Sequence, residues 1–114
     1  MKYMLLMHMD PAIRLSPMDQ AVMAESLAAW LTEMDGRGVR LEGNELADAS
    51  LAKVVRVRKG SLSATDGPFV ETKEQIAGFD IIECADLTEA MEVASKHPVA
   101  RYGSVEVREF FWRA

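Results

Sequence analysis

A chain of 114 residues, with 49% hydrophobic and 27% charged side chains, can pack one domain and is too short for two. A net charge of −5 and a pI near 5.0 argue against a phosphate-binding surface, so nucleic acid is not an expected partner. One cysteine, Cys84, excludes an intrachain disulfide and favours a reducing compartment.

The first element is a strand from Lys2 to Met9, apolar enough to be expected in the middle of a sheet with both faces buried. Its core, Tyr3 to Met7, is too short for a signal peptide. No run reaches the ~20 apolar residues of a membrane span, so the expected setting is the cytoplasm, with no membrane partner. Asp10-Pro11 ends the strand. Ser16, Pro17 and Asp19 then form a helix start, with a capping side chain, a proline at the first helical position and a carboxylate three residues after the cap. Met23, Leu27, Trp30, Leu31 and Met34 fall on one helical face, and Gly36 and Gly38 stop it.

Val39 and Leu41 alternate with Arg40 and Glu42, which reads as a short half-buried strand. Val55 and Val57 alternate with Arg56 and Arg58, Lys59-Gly60 is a turn, and Leu62 and Ala64 resume the alternation. Residues 51–65 are therefore expected to form a hairpin. Asp66-Gly67-Pro68 is a further turn. A strand follows from Ile76 to Cys84, with Phe79 and Ile81 on one face and Ile82 and Cys84 on the other. Asp86 starts a second helix with Glu89 at capping-box spacing, Leu87, Ala90, Met91 and Ala94 form its stripe, and Pro98 ends it. Ser104 to Trp112 is the last strand.

With the hairpin set aside, the order is β-α-β-β-α-β. That is the ferredoxin-like split β-α-β pattern, an α+β fold in one domain over residues 1–114 with an inserted hairpin. Both helices cover one face of an antiparallel sheet, and a second copy is the economical cover for the other, so a homodimer is expected.

The segment Thr65-Asp66-Gly67-Pro68-Phe69-Val70-Glu71-Thr72-Lys73-Glu74-Gln75, followed by Ile76-Ala77-Gly78-Phe79, resembles the signature of the DGPF-domain branch of the YCII-related family. The opening Met1-Lys2-Tyr3-Met4-Leu5-Leu6, the helix start Asp86-Leu87-Thr88-Glu89-Ala90 and the strand Gly103-Ser104-Val105-Glu106-Val107-Arg108 are similar to that family too. The resemblance spans the whole chain and implies a dimeric α+β barrel. One member of the family is a dehydrochlorinase acting on a chlorinated hydroxyhydroquinone, and some DGPF proteins occur with extracytoplasmic-function sigma factors. The wider family is proposed to use a histidine early in the first helix with an aspartate. This chain has Ser26 or Glu25 near that place, and His97-Pro98 where the YCII branch carries Asp-Pro.

His97 is the leading candidate for proton transfer, because its ordinary pKa lies near neutrality. The competing reading is a histidine held at a helix C-terminus by the dipole. Asp80 is a carboxylate in an otherwise apolar strand and needs a partner or a raised pKa if buried. Asp66 sits in the signature turn, where local backbone bonding is the simpler explanation. These three are the candidate catalytic residues; His8, Glu71 and Lys73 are the candidate ligand-binding residues. No metal is expected, for want of HxxxH, HxH or CxxC spacing, and no cofactor, for want of a Gly-rich phosphate loop. Cys84 has no basic neighbour to activate it.

The leading functional expectation is a small-molecule enzyme or ligand-binding protein whose cavity lies between the sheet and a partner subunit. The alternative is a non-catalytic regulatory or interaction module linked to sigma-factor signalling. The first requires ionisable groups converging on a mostly apolar pocket; the second requires a flat apolar patch and a solvated His97.

Overall fold

A computed structural model describes residues 1–68 and 74–111. The candidate residues Glu71 and Lys73, and Trp112 of the last predicted strand, lie outside the described residues. In chain order the elements are β1 (Lys2–Met9), α1 (Pro17–Gly36), β2 (Arg40–Glu45), a 3-10 turn (Ala49–Leu51), β3 (Lys53–Arg58), β4 (Ser61–Asp66), β5 (Gln75–Glu83), α2 (Leu87–Ser95), α3 (Val99–Tyr102) and β6 (Ser104–Glu109). This is a mixed α+β architecture with antiparallel sheets.

The apolar first segment does take a central place. The main sheet runs β2-β5-β1-β6 with every pairing antiparallel, and Leu5 faces Asp80 on one side and Val107 on the other. Its burial is one-sided, however. Tyr3, Leu5 and Met7 are buried, whereas Met4, Leu6 and His8 on the opposite face are only half-buried. The reason is that the helices supply one layer only: Trp30 and Met34 of α1 and Ala90, Val93 and Ala94 of α2 join Tyr3, Leu5, Met7 and Ile82 in a single core on that face.

Local chemistry sets the helix ends. Ser16 Oγ accepts from the Asp19 amide at 3.0 Å, and Pro17 occupies the first turn. Gly38 takes φ +68°, the left-handed exit that glycine adopts without strain. Asp86 caps α2 by accepting from the Glu89 amide at 2.9 Å. The expected end of α2 needs correction. The helix finishes at Ser95, and Pro98, with φ −61° and ψ −28°, opens the short α3 instead. A proline tolerates the first turn of a helix because no amide is needed there.

α1 and α2 are tied through their seam. Trp30 Nε1 donates to the Val93 carbonyl at 3.0 Å. Outside it, Arg37 reaches Glu33 (3.0 Å) and Glu92 (2.8 Å), while Lys96 reaches Glu33 (2.9 Å) and Glu92 (3.3 Å). These charges are substantially exposed, so solvent screens each pair and their contribution to stability is small.

Two further expectations change. The pairing of β2 with β5 shifts register between Arg40 and Glu42, which leaves Leu41 exposed and turns Arg40 toward the helix-covered face. The last strand ends at Glu109, before exposed Phe110 and Phe111. The hairpin forms as expected: β3 pairs with β4 in a sheet of its own, Lys59-Gly60 making the turn. No described helix is long and apolar enough to cross a membrane.

Glycine marks one backbone crossing. A Cβ on Gly103 would collide with the His8 carbonyl oxygen of β1, whereas one on Gly36 at the end of α1 would meet nothing within 4 Å. Gly103→Ala is therefore expected to destabilise the chain by about 1–3 kcal/mol, and Gly36→Ala to stabilise it by about 0.5–1 kcal/mol. Urea unfolding of the two variants checks this; a Gly103→Ala protein as stable as wild type would remove the close approach.

Candidate functional site

Asp80 lies on the helix-covered face of β5 between two other strands, and it is 6% exposed. A carboxylate there must be answered. Arg40 Nε donates to Asp80 Oδ1 at 2.7 Å, Arg40 Nη2 donates to the Gly43 carbonyl at 3.2 Å, and Nη1 stands 3.8 Å from Asp35 Oδ1. Gly43 is the residue opposite Asp80 in the β2–β5 register, and a Cβ at that position would collide with Oδ1. The missing side chain is what lets the carboxylate sit there. Burial raises the Asp80 pKa, with Arg40 pulling the other way.

His97 lies between α2 and α3 and is 5% exposed. Its Nδ1 accepts from the Val99 amide at 3.1 Å, and its ring meets the Trp30 indole edge-on, 4.7 Å between centroids at 70°. Because Nδ1 uses its lone pair, the neutral ring carries its proton on Nε2. Burial lowers the pKa to about 4, so the ring is neutral at pH 7 and presents a donor.

Both residues line one half-open cavity of about 480 Å³, with α1 on one side and the sheet on the other. Met7, Met23, Leu27 and Leu31 supply apolar wall, and Arg40, Glu45, Asp80 and His97 supply ionisable groups. Among the described residues, no buried side-chain nitrogen or oxygen lacks a hydrogen-bond partner. Asp80 bonds through Oδ1 and His97 through Nδ1. The arrangement can take a proton at Asp80, donate a hydrogen bond from His97, and place a guanidinium beside Asp80.

The other candidates lie elsewhere. His8 is on the opposite face of β1, where Nε2 is 3.1 Å from Glu106 Oε1, and it lines a separate cavity of about 580 Å³ with Leu46, Leu51 and Glu74. That cavity is larger but brings together fewer opposed ionisable groups. Asp66 ends β4, pairs with Lys53 across the hairpin and lines neither cavity, because the hairpin stands apart from the main sheet. The cavity that holds Asp80 and His97 is formed within one chain, by α1, the sheet and the α2–α3 connection. Cys84 is buried and its thiol is pushed up by burial, which fits a packing role. Among the described residues, no cluster of three or more His, Cys, Asp or Glu side chains is placed to hold a metal ion.

Arg40, Gly43 and Trp30 are site residues the sequence reading did not single out. Arg40 alternates with apolar residues like any solvated strand residue. The available signal was Asp80 itself, since a carboxylate in an apolar strand demands a cation within reach.

Comparison with known proteins adds three findings. The family model described as the YCII-related domain matches residues 1–112. An uncharacterized protein of Rhizobium meliloti (strain 1021) is 43% identical over 65 residues, covering 55% of this chain. The match spans about half of that relative's length, 52%. The fold is similar to 5-chloro-2-hydroxyhydroquinone dehydrochlorinase (TftG) from Burkholderia phenoliruptrix, solved in complex with 2,5-dihydroxybenzoquinone. The TM-score is 0.54 with 14% identity, over 97% of this chain and 94% of that one.

The buried histidine has a pH signature. Its folded pKa of about 4 lies below the ordinary 6.5, so the unfolded chain binds this proton first as pH falls. The contribution is complete above about pH 6.5 and is lost as pH falls through about 4. The loss amounts to about 3 kcal/mol at most. Urea unfolding at pH 7 and pH 4.5 should show this acid-side loss in wild type and a smaller one in His97→Gln. Identical pH dependence in both proteins would mean that the ring is charged and solvated.

Proposed function

The chain belongs to the YCII-related family, and from that premise we propose that it is a small-molecule enzyme or ligand-binding protein whose site is the cavity between α1 and the sheet. One observation carries the reading. Asp80 and His97 both line a mostly apolar cavity that Arg40 also lines. Its size, about 480 Å³, falls in the range of ligand sites and suits a single substituted ring.

The chemistry follows from the three groups. A buried aspartate with a raised pKa is a proton acceptor poised nearer neutrality than a solvated one. A ring hydroxyl entering the cavity gives its proton to the Asp80 carboxylate. The oxyanion left behind meets the Arg40 guanidinium and the neutral His97 N–H, two donors positioned before the charge develops. The ligand class is a small hydroxylated ring. The bound dihydroxybenzoquinone of the structural neighbour is of that class, though the likeness between the two proteins is one of fold.

The same proposal includes a ferredoxin-like split β-α-β body, supported by the β2-β5-β1-β6 order, and a cytoplasmic homodimer closed over the open sheet face as a dimeric α+β barrel. Half-buried Met4, Leu6, Phe79 and Ile81 on that face support it. The regulatory alternative calls for a solvated His97, and a ring that is 5% exposed weighs for the cavity.

Calorimetric titration with 2,5-dihydroxybenzoquinone at pH 7 tests the reading. Saturable binding is expected for wild type, weakened about tenfold or more in Asp80→Asn, Arg40→Lys and His97→Gln proteins that retain their circular dichroism. A wild-type chain that binds neither this compound nor a panel of hydroxylated quinones and benzoates would overturn the proposal. Equal binding by the folded variants would do the same.

A further inference from the structure

We propose that Glu45 recognises a second hydroxyl on the ligand, so that the cavity between α1 and the sheet selects rings hydroxylated at both ends. The placement comes from the β2–β5 register. Asp80 stands opposite Gly43, and Gly78 stands opposite Glu45. Alternate residues of a strand share a face, so these four belong to one face of the sheet, and all four line the cavity. The two carboxylates occupy one diagonal of this square and the two glycines the other. Diagonal neighbours across an antiparallel pair lie about 7–8 Å apart, a span that one six-membered ring with its substituents covers.

The glycines keep that span open. Neither raises a side chain between the carboxylates, and neither position takes one freely. A Cβ on Gly43 would collide with Asp80 Oδ1, and one on Gly78 would stand 3.0 Å from the Asn44 carbonyl oxygen. The two acids also differ in depth. Asp80 is 6% exposed, whereas Glu45 ends the edge strand β2 and is exposed. A ring seated with one hydroxyl on Asp80 therefore directs its far end toward the rim, where Glu45 stands.

The rest of the site leaves Glu45 unanswered. Arg40 spends Nε on Asp80 (2.7 Å) and Nη2 on the Gly43 carbonyl (3.2 Å), and its Nη1 faces Asp35 at 3.8 Å. Among the described residues, no side chain donates to the Glu45 carboxylate. An ionised carboxylate accepts hydrogen bonds and donates none, so its complement is a donor. A hydroxyl supplies that donor without adding charge to a ring that must also enter an apolar wall of Met23, Leu27 and Leu31.

The inference rests on the ring-binding reading of this cavity, and two rings that stay neutral at pH 7 separate the two. The full chain is titrated calorimetrically with phenol and with hydroquinone kept reduced under argon. Wild type should hold hydroquinone about tenfold more tightly than phenol. In Glu45→Ala that ratio should fall close to the statistical value for two equivalent hydroxyls, while Asp80→Asn should weaken both rings by the same factor. If Glu45→Ala fails to fold, Glu45→Leu removes the acceptor at similar size and serves in its place. A preference for hydroquinone that survives the loss of Glu45, or equal binding of the two rings by wild type, overturns the role of Glu45 and leaves the cavity reading standing. A wild-type chain that binds neither ring, or that binds both with no effect of Asp80→Asn, overturns both.

Discussion

A carboxylate placed in the middle of an apolar strand is the constraint around which this site is arranged. Asp80 sits between β1 and β2 with almost no exposure, and isolated ionised carboxylates do not survive in such surroundings. Three features of β2 answer it. The register shift at Leu41 swings Arg40 onto the Asp80 face, Gly43 leaves room for the carboxylate, and the Gly43 carbonyl holds the second arm of the guanidinium. Buried ion pairs are poor sources of net stability, because desolvation of both charges offsets their attraction. In the proposed reading, that cost is kept because the pair faces the ligand cavity.

The second polar group is held by different means. Among the described residues His97 has no charged partner; it is fixed by the Val99 amide and by the edge of Trp30. Trp30 in turn spends its own donor on the Val93 carbonyl, so one indole both joins α1 to α2 and orients the imidazole. The geometry of the cavity thus depends on the same seam that packs the helices. The consequence for chemistry is a neutral ring that donates, lining the same cavity as an aspartate whose proton affinity is raised.

One-sided burial explains the remaining surface. A single layer of helices covers Tyr3, Leu5, Met7 and Ile82 and leaves Met4, Leu6, Phe79 and Ile81 half-covered. The hairpin adds a second incompletely covered surface outside the main sheet. Both features leave apolar side chains incompletely covered within one chain.

Local chemistry was legible along the chain. The Ser16 and Asp86 caps, the α1 stripe, the central apolar strand, the two-residue turn of the hairpin and the alternation of Phe79 and Ile81 against Ile82 and Cys84 are all short-range patterns, and the structure follows them. His97 and Asp80 were legible as anomalies, one a titratable ring beside a proline and the other a charge among apolar neighbours. Their meeting in one cavity was not legible, because it depends on α1 lying over the sheet and on the chain turning back from α2 into α3. Nor was the role of Arg40, which a one-residue bulge moves from the expected solvated side to the buried one. Periodicity reports which face a residue takes only while the register holds. The sequence by itself determined the elements and the groups in need of partners; only tertiary packing decided which groups met, because that depends on strand order and register between residues as far apart as Arg40, Asp80 and His97.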